Sequence, residues 1–194
     1  MFWDTDTMLF LRRPAGKPLD EAKRKPCPGT FRPVTEENLL DCAVFEDAER
    51  YLPVYRSIMK RGHLLRFGYL DGRCVFRYAI QPRGKVLYTG NFGVELGPNE
   101  MYIYHIYCLP EARGKGFHPE SLWQLTEEFP DAAFYAMVKP GNRSSLRAFY
   151  RAGYEPYLTL SGKRRFFLRL GLKKELLTPE EVRDCYRQAG VDPA

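Results

Sequence analysis

The chain has 194 residues, enough to bury one hydrophobic core without requiring a second domain. Hydrophobic residues make up 44% and charged residues 28%, a balance that fits a globular domain, and no apolar run approaches the roughly 20 residues of a membrane-spanning helix. The net charge of +6 comes from small scattered clusters such as Lys23-Arg24-Lys25 and Lys163-Arg164-Arg165, and the aromatics alternate along strands instead of forming a stacking platform. This pattern argues against a nucleic-acid groove and for a solvated basic surface that favours anionic ligands.

In chain order, the acids in Met1-Phe2-Trp3-Asp4-Thr5-Asp6 occupy the place of a signal peptide's basic flank, so no export is expected. Residues 7–13 read as a short leading strand. Arg13 to Gly29 holds four prolines and a charge run and reads as a mobile connector. Thr30 to Thr35 leads into a helix start with Thr35 as N-cap, and the apolar spacing from Leu39 to Met59 predicts two short helices. Three strands follow: His63–Leu70, Arg73–Ile80 across an Asp71-Gly72 hairpin turn, and Lys85–Leu96, where Gly90 and Gly93 mark a bulge or a close ligand approach. Thr178-Pro179-Glu180-Glu181 is a capping box opening a last helix that Gly190 ends. Five scattered cysteines (27, 42, 74, 108, 185) lack metal-ligand spacing and are read as free thiols of a reducing cytoplasm, with no metal site.

The densest signal runs from Tyr104 to Tyr154. The strand Tyr104–Leu109 enters the basic loop Arg113-Gly114-Lys115-Gly116-Phe117-His118, and a helix follows with apolar residues at 122, 125 and 129. Strand, glycine-rich loop and helix form an anion cradle: the glycines let the backbone approach a ligand, and the free amides of the first helical turn face it. Residues 132–138 read as a second buried strand, followed by Asn142, Ser145, Tyr150 and Gly153-Tyr154 on a second helix and its exit. Two such strands joined by a helix must lie parallel.

In this stretch the chain resembles the GNAT superfamily of CoA-dependent N-acyltransferases. Arg113, Gly116, Asn142, Tyr150 and Gly153-Tyr154 match that family's pattern in order and spacing, and His118 departs from it by standing where the family has Gly or Ala. The resemblance implies an α/β fold with a mixed, mostly antiparallel sheet of about six or seven strands. Helices flank this sheet, and one parallel strand pair opens around the CoA arm. It implies one domain: a strand and connector over 1–29, an acyltransferase core over 30–172 and a helix over 173–194.

The expected donor is acetyl-CoA, held by Cys108, Leu109, Arg113, Gly114, Lys115, Gly116, Phe117, His118, Asn142 and Ser145, with an oxyanion-donating amide near Cys108 or Leu109. The expected acceptor is the amine of a small molecule, amino sugar or peptide. Tyr150 is the expected acid for the departing thiolate, because a phenol of pKa about 10 can reload a thiolate of pKa about 8.5. His105 is the expected base, with Glu95 and Glu100 as alternatives through water. Two other readings stay open: a longer or carrier-bound acyl donor, and a CoA-binding interaction module without turnover. A homodimer is compatible with all of them, a membrane association with none.

Overall fold

The computed structural model describes residues 4–45, 48–165 and 168–191. Met1-Phe2-Trp3 of the export reading lie outside the described residues.

The main sheet has eight strands, one or two more than the resemblance implies. They are β1 (Asp4–Arg13), β2 (Thr30–Pro33), β3 (Leu64–Leu70), β4 (Arg73–Gln81), β7 (Glu100–Cys108), β8 (Ala133–Val138), β9 (Glu155–Arg165) and β10 (Leu168–Leu176). Their order is β10-β9-β1-β8-β7-β4-β3-β2, and every pair is antiparallel except β7 with β8. The leading strand is therefore not peripheral: β1 lies between β8 and β9, and Leu9, Phe10 and Leu11 are all buried there.

The third expected strand is in fact a hairpin, β5 (Gly84–Thr89) and β6 (Phe92–Leu96), forming its own two-stranded sheet. Gly90, with φ +50°, makes the turn. Gly93 serves cross-strand packing and not a ligand, because a Cβ there would sit 1.9 Å from the Val86 carbonyl oxygen. The Asp71-Gly72 turn forms as expected, with both residues at positive φ.

Helices α2 (Phe117–Glu128) and α3 (Arg143–Arg151) cover one face of the sheet, burying Leu122, Trp123, Leu125, Leu146 and Phe149 against Phe76, Ile103 and Phe134. Helix α1 (Ala48–Lys60), with a 3-10 turn over Leu39–Val44, covers the other face at β3 and β4 through Tyr55 and Ile58. Asn38 does the turn-making assigned to Thr35: its side-chain oxygen accepts from the Thr35 amide at 2.8 Å. Helix α4 (Pro179–Ala189) carries the capping box on Thr178 and Glu181 and packs on α3.

The proline-rich connector is pinned, not mobile. Arg24 donates to Glu120 at 2.8 and 3.2 Å and lies 5.3 Å from the Trp123 ring, which clamps the connector to α2. At the end of β1 the buried Arg13 guanidinium donates to the Ala152 carbonyl at 3.0 Å, fixing the C-terminal end of α3, where a cation also suits the helix dipole.

Candidate active site

Strands β7 and β8 pair only from Glu100 opposite Ala133 to Ile103 opposite Ala136, then run on without pairing to Cys108 and Val138. Splaying at this point opens a wedge. A bulge in β7 helps to shape it: Arg77 and Ala79 of β4 stand opposite Tyr107 and Tyr104, so the partner strand has one residue fewer across the interval. Within the bulge His105 adopts φ +58°, and the alternation of faces breaks there. Its ring packs on Tyr55 of α1 at 5.4 Å, on the side to which Tyr104 also turns.

Two cavities occupy this region and share Ile106, Asn142 and Ser145 as a common neck. The larger, about 740 Å³, lies in front of the α2 N-terminus. The cationic residues Lys25, Arg113, Arg147 and Arg151 line it, and among the described residues no carboxylate does. The smaller, about 290 Å³, fills the wedge itself between Tyr102, Tyr104 and His105 on one strand and Met137, Val138 and Lys139 on the other, with Phe149 closing it.

The cradle follows from its glycines. Gly114 and Gly116 have φ +78° and +87°, the left-handed region that glycine enters without cost. At Gly116 the connector's backbone also leaves no room, because a Cβ would lie 2.5 Å from the Pro26 carbonyl oxygen. The first-turn amides of α2 have no acceptor within the helix, and Phe117, His118 and Pro119 of that turn line the larger cavity. Pro119 occupies that turn, where its missing N–H costs nothing. Arg113 is steered along the wall by donating to the Cys108 carbonyl at 3.2 Å. These features fit an anionic, elongated ligand such as CoA: positive charge and amides at the wide end, an apolar and hydroxyl-bearing wedge at the narrow one.

The cavities bring together Cys108, Arg113, Gly114, Gly116, Phe117, His118, Asn142, Ser145 and His105 from the expected site. Asn142 caps α3, its side-chain oxygen accepting from the Ser145 amide at 3.2 Å. Three expected residues stand apart from the two cavities. The Leu109 amide donates to the Val75 carbonyl at 2.9 Å and its side chain is in the core, so it is no oxyanion donor. Lys115 is exposed and on neither cavity wall. Tyr150 lines neither cavity: its ring lies 4.4 Å from that of Tyr186 on α4, and burial pushes its phenol up. The residues of α3 that line the wedge are Ser145, at the neck, and Phe149, which has no proton to give.

Among the alternative bases, Glu100 stands at the closed end of the β7–β8 pair. Its two carboxylate oxygens accept from Tyr135 at 2.6 Å and from the Gly97 amide at 2.7 Å. Burial pushes the Cys108 thiol up to about 11, which disfavours its thiolate at neutral pH. His118 wedges edge-on against Phe149 at 4.9 Å, and burial pushes its imidazole down to about 4. Sequence reasoning missed Lys25, Arg147, Arg151, Tyr104 and Phe149. Arg147 and Arg151 were within reach, being spaced four apart on one face of α3, about 100° of rotation from Leu146 and Tyr150. Lys25 was not, since only the pinned connector brings it there.

No family model matches the chain, and no curated protein matches it in sequence. Solved structures do. The chain is similar to the GCN5-related glucosamine N-acetyltransferase region of a fungal multi-domain GH3 β-N-acetylglucosaminidase, with a TM-score of 0.57 and 13% identity. That match covers 82% of this chain and 21% of the other. It is similar to a GNAT-family acetyltransferase from Colwellia psychrerythraea, with a TM-score of 0.56 and 12% identity over 84% of this chain and 57% of the other. It also resembles an aminoglycoside 6'-N-acetyltransferase from Acinetobacter haemolyticus, with a TM-score of 0.50 and 18% identity over 64% of this chain and 89% of the other. The chain thus spans well under two thirds of the first two proteins. With its single parallel pair splayed over a helix N-terminus inside an otherwise antiparallel sheet, it has the GNAT fold.

Proposed function

We propose that the chain is an N-acetyltransferase that moves an acetyl group from acetyl-CoA to the primary amine of a small molecule. The observation that carries this reading is the pair of adjoining cavities: four cations and, among the described residues, no carboxylate at the α2 N-terminus, and a wedge between the strands that shares Ile106, Asn142 and Ser145 with it. Arg113, Lys25, Arg147 and Arg151 would neutralise the donor's phosphates, with the amides following Gly114 and Gly116 wrapping the pyrophosphate. Asn142 and Ser145 at the neck would hold the amide-bearing arm. The thioester would then lie between the splayed edges of β7 and β8, where the acceptor meets it. The named activities of the similar structures, on glucosamine and on aminoglycosides, support amino sugars as the first acceptors to try. Free thiols at all five cysteines are in keeping with a cytoplasmic setting.

Calorimetric titration with CoA and acetyl-CoA tests the donor, repeated on Arg113→Ala combined with Arg147→Ala. Binding that the double substitution weakens supports the reading, and no binding at millimolar ligand rejects it. A second reading, a CoA-binding module without turnover, draws on the position of Tyr150 outside the cavities. It requires binding without acetyl-CoA-dependent thiol release for any amine.

A further inference from the structure

Among the described residues the wedge has no carboxylate on its walls, α3 presents Ser145 and Phe149 to it, and His105 turns its ring onto Tyr55, so the proton acceptor and donor for transfer are sought among the other wall residues. One group on the wall is already partnered for both tasks. Tyr104 is one of the residues lining the wedge, and its hydroxyl is 2.7 Å from Nδ1 of His63, with the two rings nearly perpendicular. His63 sits behind Tyr104, off the cavity wall. Its position is set by the backbone, because its amide donates to the Ile58 carbonyl at 3.2 Å and the Gly62 amide to Met59 at 2.9 Å as α1 ends. Tyr104 is held in turn by stacking on Tyr102 at 5.8 Å.

We infer that Tyr104 and His63 form a proton relay that serves the acyl transfer in both directions, an inference that rests on the acetyltransferase reading above. The acceptor enters as the free amine, its extra proton left to water. As its nitrogen lone pair forms the C–N bond, the thioester carbonyl becomes an oxyanion. The departing N–H proton goes to the Tyr104 oxygen while the Tyr104 proton goes to His63 Nδ1. When the oxyanion re-forms its double bond and the C–S bond breaks, His63 returns its proton through Tyr104 to the thiolate. The relay ends as it began, and the products are an amide and a thiol. Tyr104 is the catalytic residue and His63 a positioning residue that acts through it.

The surroundings suit this traffic. His63 faces Arg61 and Tyr104, and its burial together with Arg61 lowers its pKa, so it waits neutral and able to accept. Once charged it is a much stronger acid than a thiol of pKa about 8.5, so the return step runs downhill. Tyr104 faces His63, Tyr102 and His105, with Arg61 favouring its ionised form and burial opposing it.

The test uses the full chain with acetyl-CoA and a panel of primary amines that includes glucosamine and an aminoglycoside. Thiol release is the activity readout. Tyr104→Phe and His63→Gln should each lower kcat by about 100-fold while leaving the calorimetric Kd for CoA unchanged, and the double variant should be no worse than either single one. In the unsubstituted protein kcat/KM should fall on the acid side with a pKa below 6.5, and that limb should vanish in His63→Gln. Independently of turnover, the His63 imidazole resonances should titrate below pH 6.5 and shift that titration in Tyr104→Phe. Single variants that retain kcat within about threefold, with the acid limb intact, overturn the relay alone. CoA binding without turnover by the unsubstituted protein overturns the transferase reading and the relay with it.

Discussion

Phe149 and Tyr150 are neighbours in sequence that serve different surroundings. On a helix one residue is about 100° of rotation, enough to move a side chain from the wedge to the α4 interface. The Tyr150 hydroxyl is buried and has no hydrogen-bond partner among the described residues. Tyr150→Phe should therefore leave kcat within about threefold of the parent and should not lower stability, since removing an unsatisfied buried hydroxyl relieves a penalty of roughly 1–3 kcal/mol. Steady-state kinetics and chemical denaturation check both halves. His118 makes an opposite kind of statement. Its imidazole is buried neutral, with a pKa pushed down from 6.5 to about 4. The unfolded chain binds this proton first as pH falls, so stability present above pH 6.5 is lost between pH 6.5 and 4. At about 1.36 kcal/mol per unit the loss reaches at most roughly 3 kcal/mol. His118→Leu should flatten that part of the urea-denaturation profile between pH 7 and 4.5.

At the scale of elements, the cradle loop separates two glycines that look alike in sequence. Both have positive φ, but a Cβ on Gly114 meets nothing within 4 Å, while one on Gly116 meets the Pro26 carbonyl. Gly114→Ala should cost only the conformational strain, about 1 kcal/mol. Gly116→Ala should cost more, because the connector's backbone must move, and it should also weaken CoA binding by turning the α2 N-terminus out of line. Thermal unfolding and calorimetry on the pair separate these contributions. The loop's helix, caps and turn residues were legible beforehand because they follow local chemistry: Asn142 caps α3, Thr178 and Glu181 form their capping box, and Gly190 ends α4 at φ +69°. The hairpin β5–β6 was not, because Gly90 and Gly93 announce an irregularity without saying whether a strand bulges or reverses.

At the scale of the whole molecule, the position of β1 matters most. It pairs with β8 and β9 on either side, so it closes the half of the sheet that carries the wedge's second wall. The amides of Leu9 to Leu11 should therefore exchange with solvent as slowly as those of β8, at rates set by global unfolding. Fast exchange there would mean that the strand frays independently of the core. Through Arg13 the same strand holds α3, and through the clamp of Arg24 on Glu120 the segment after it holds α2. Both helices that frame the cavity thus depend on the first part of the chain.

The sequence by itself determined what is encoded within one helix turn or one strand–loop–helix unit. That includes the glycine loop between Arg113 and His118, the parallel relation of β7 and β8 and the caps, because backbone geometry and helix-end charge are local consequences of residue type. Only the tertiary structure decided which residues line the two cavities. The splay beyond Ile103, the bulge at His105 and the packing of α4 over Tyr150 depend on contacts between segments far apart in the chain. Lys25 and Arg151 come to one cavity, and Tyr104 and His63 to one hydrogen bond, because burying apolar faces on both sides of a single sheet brings those segments together.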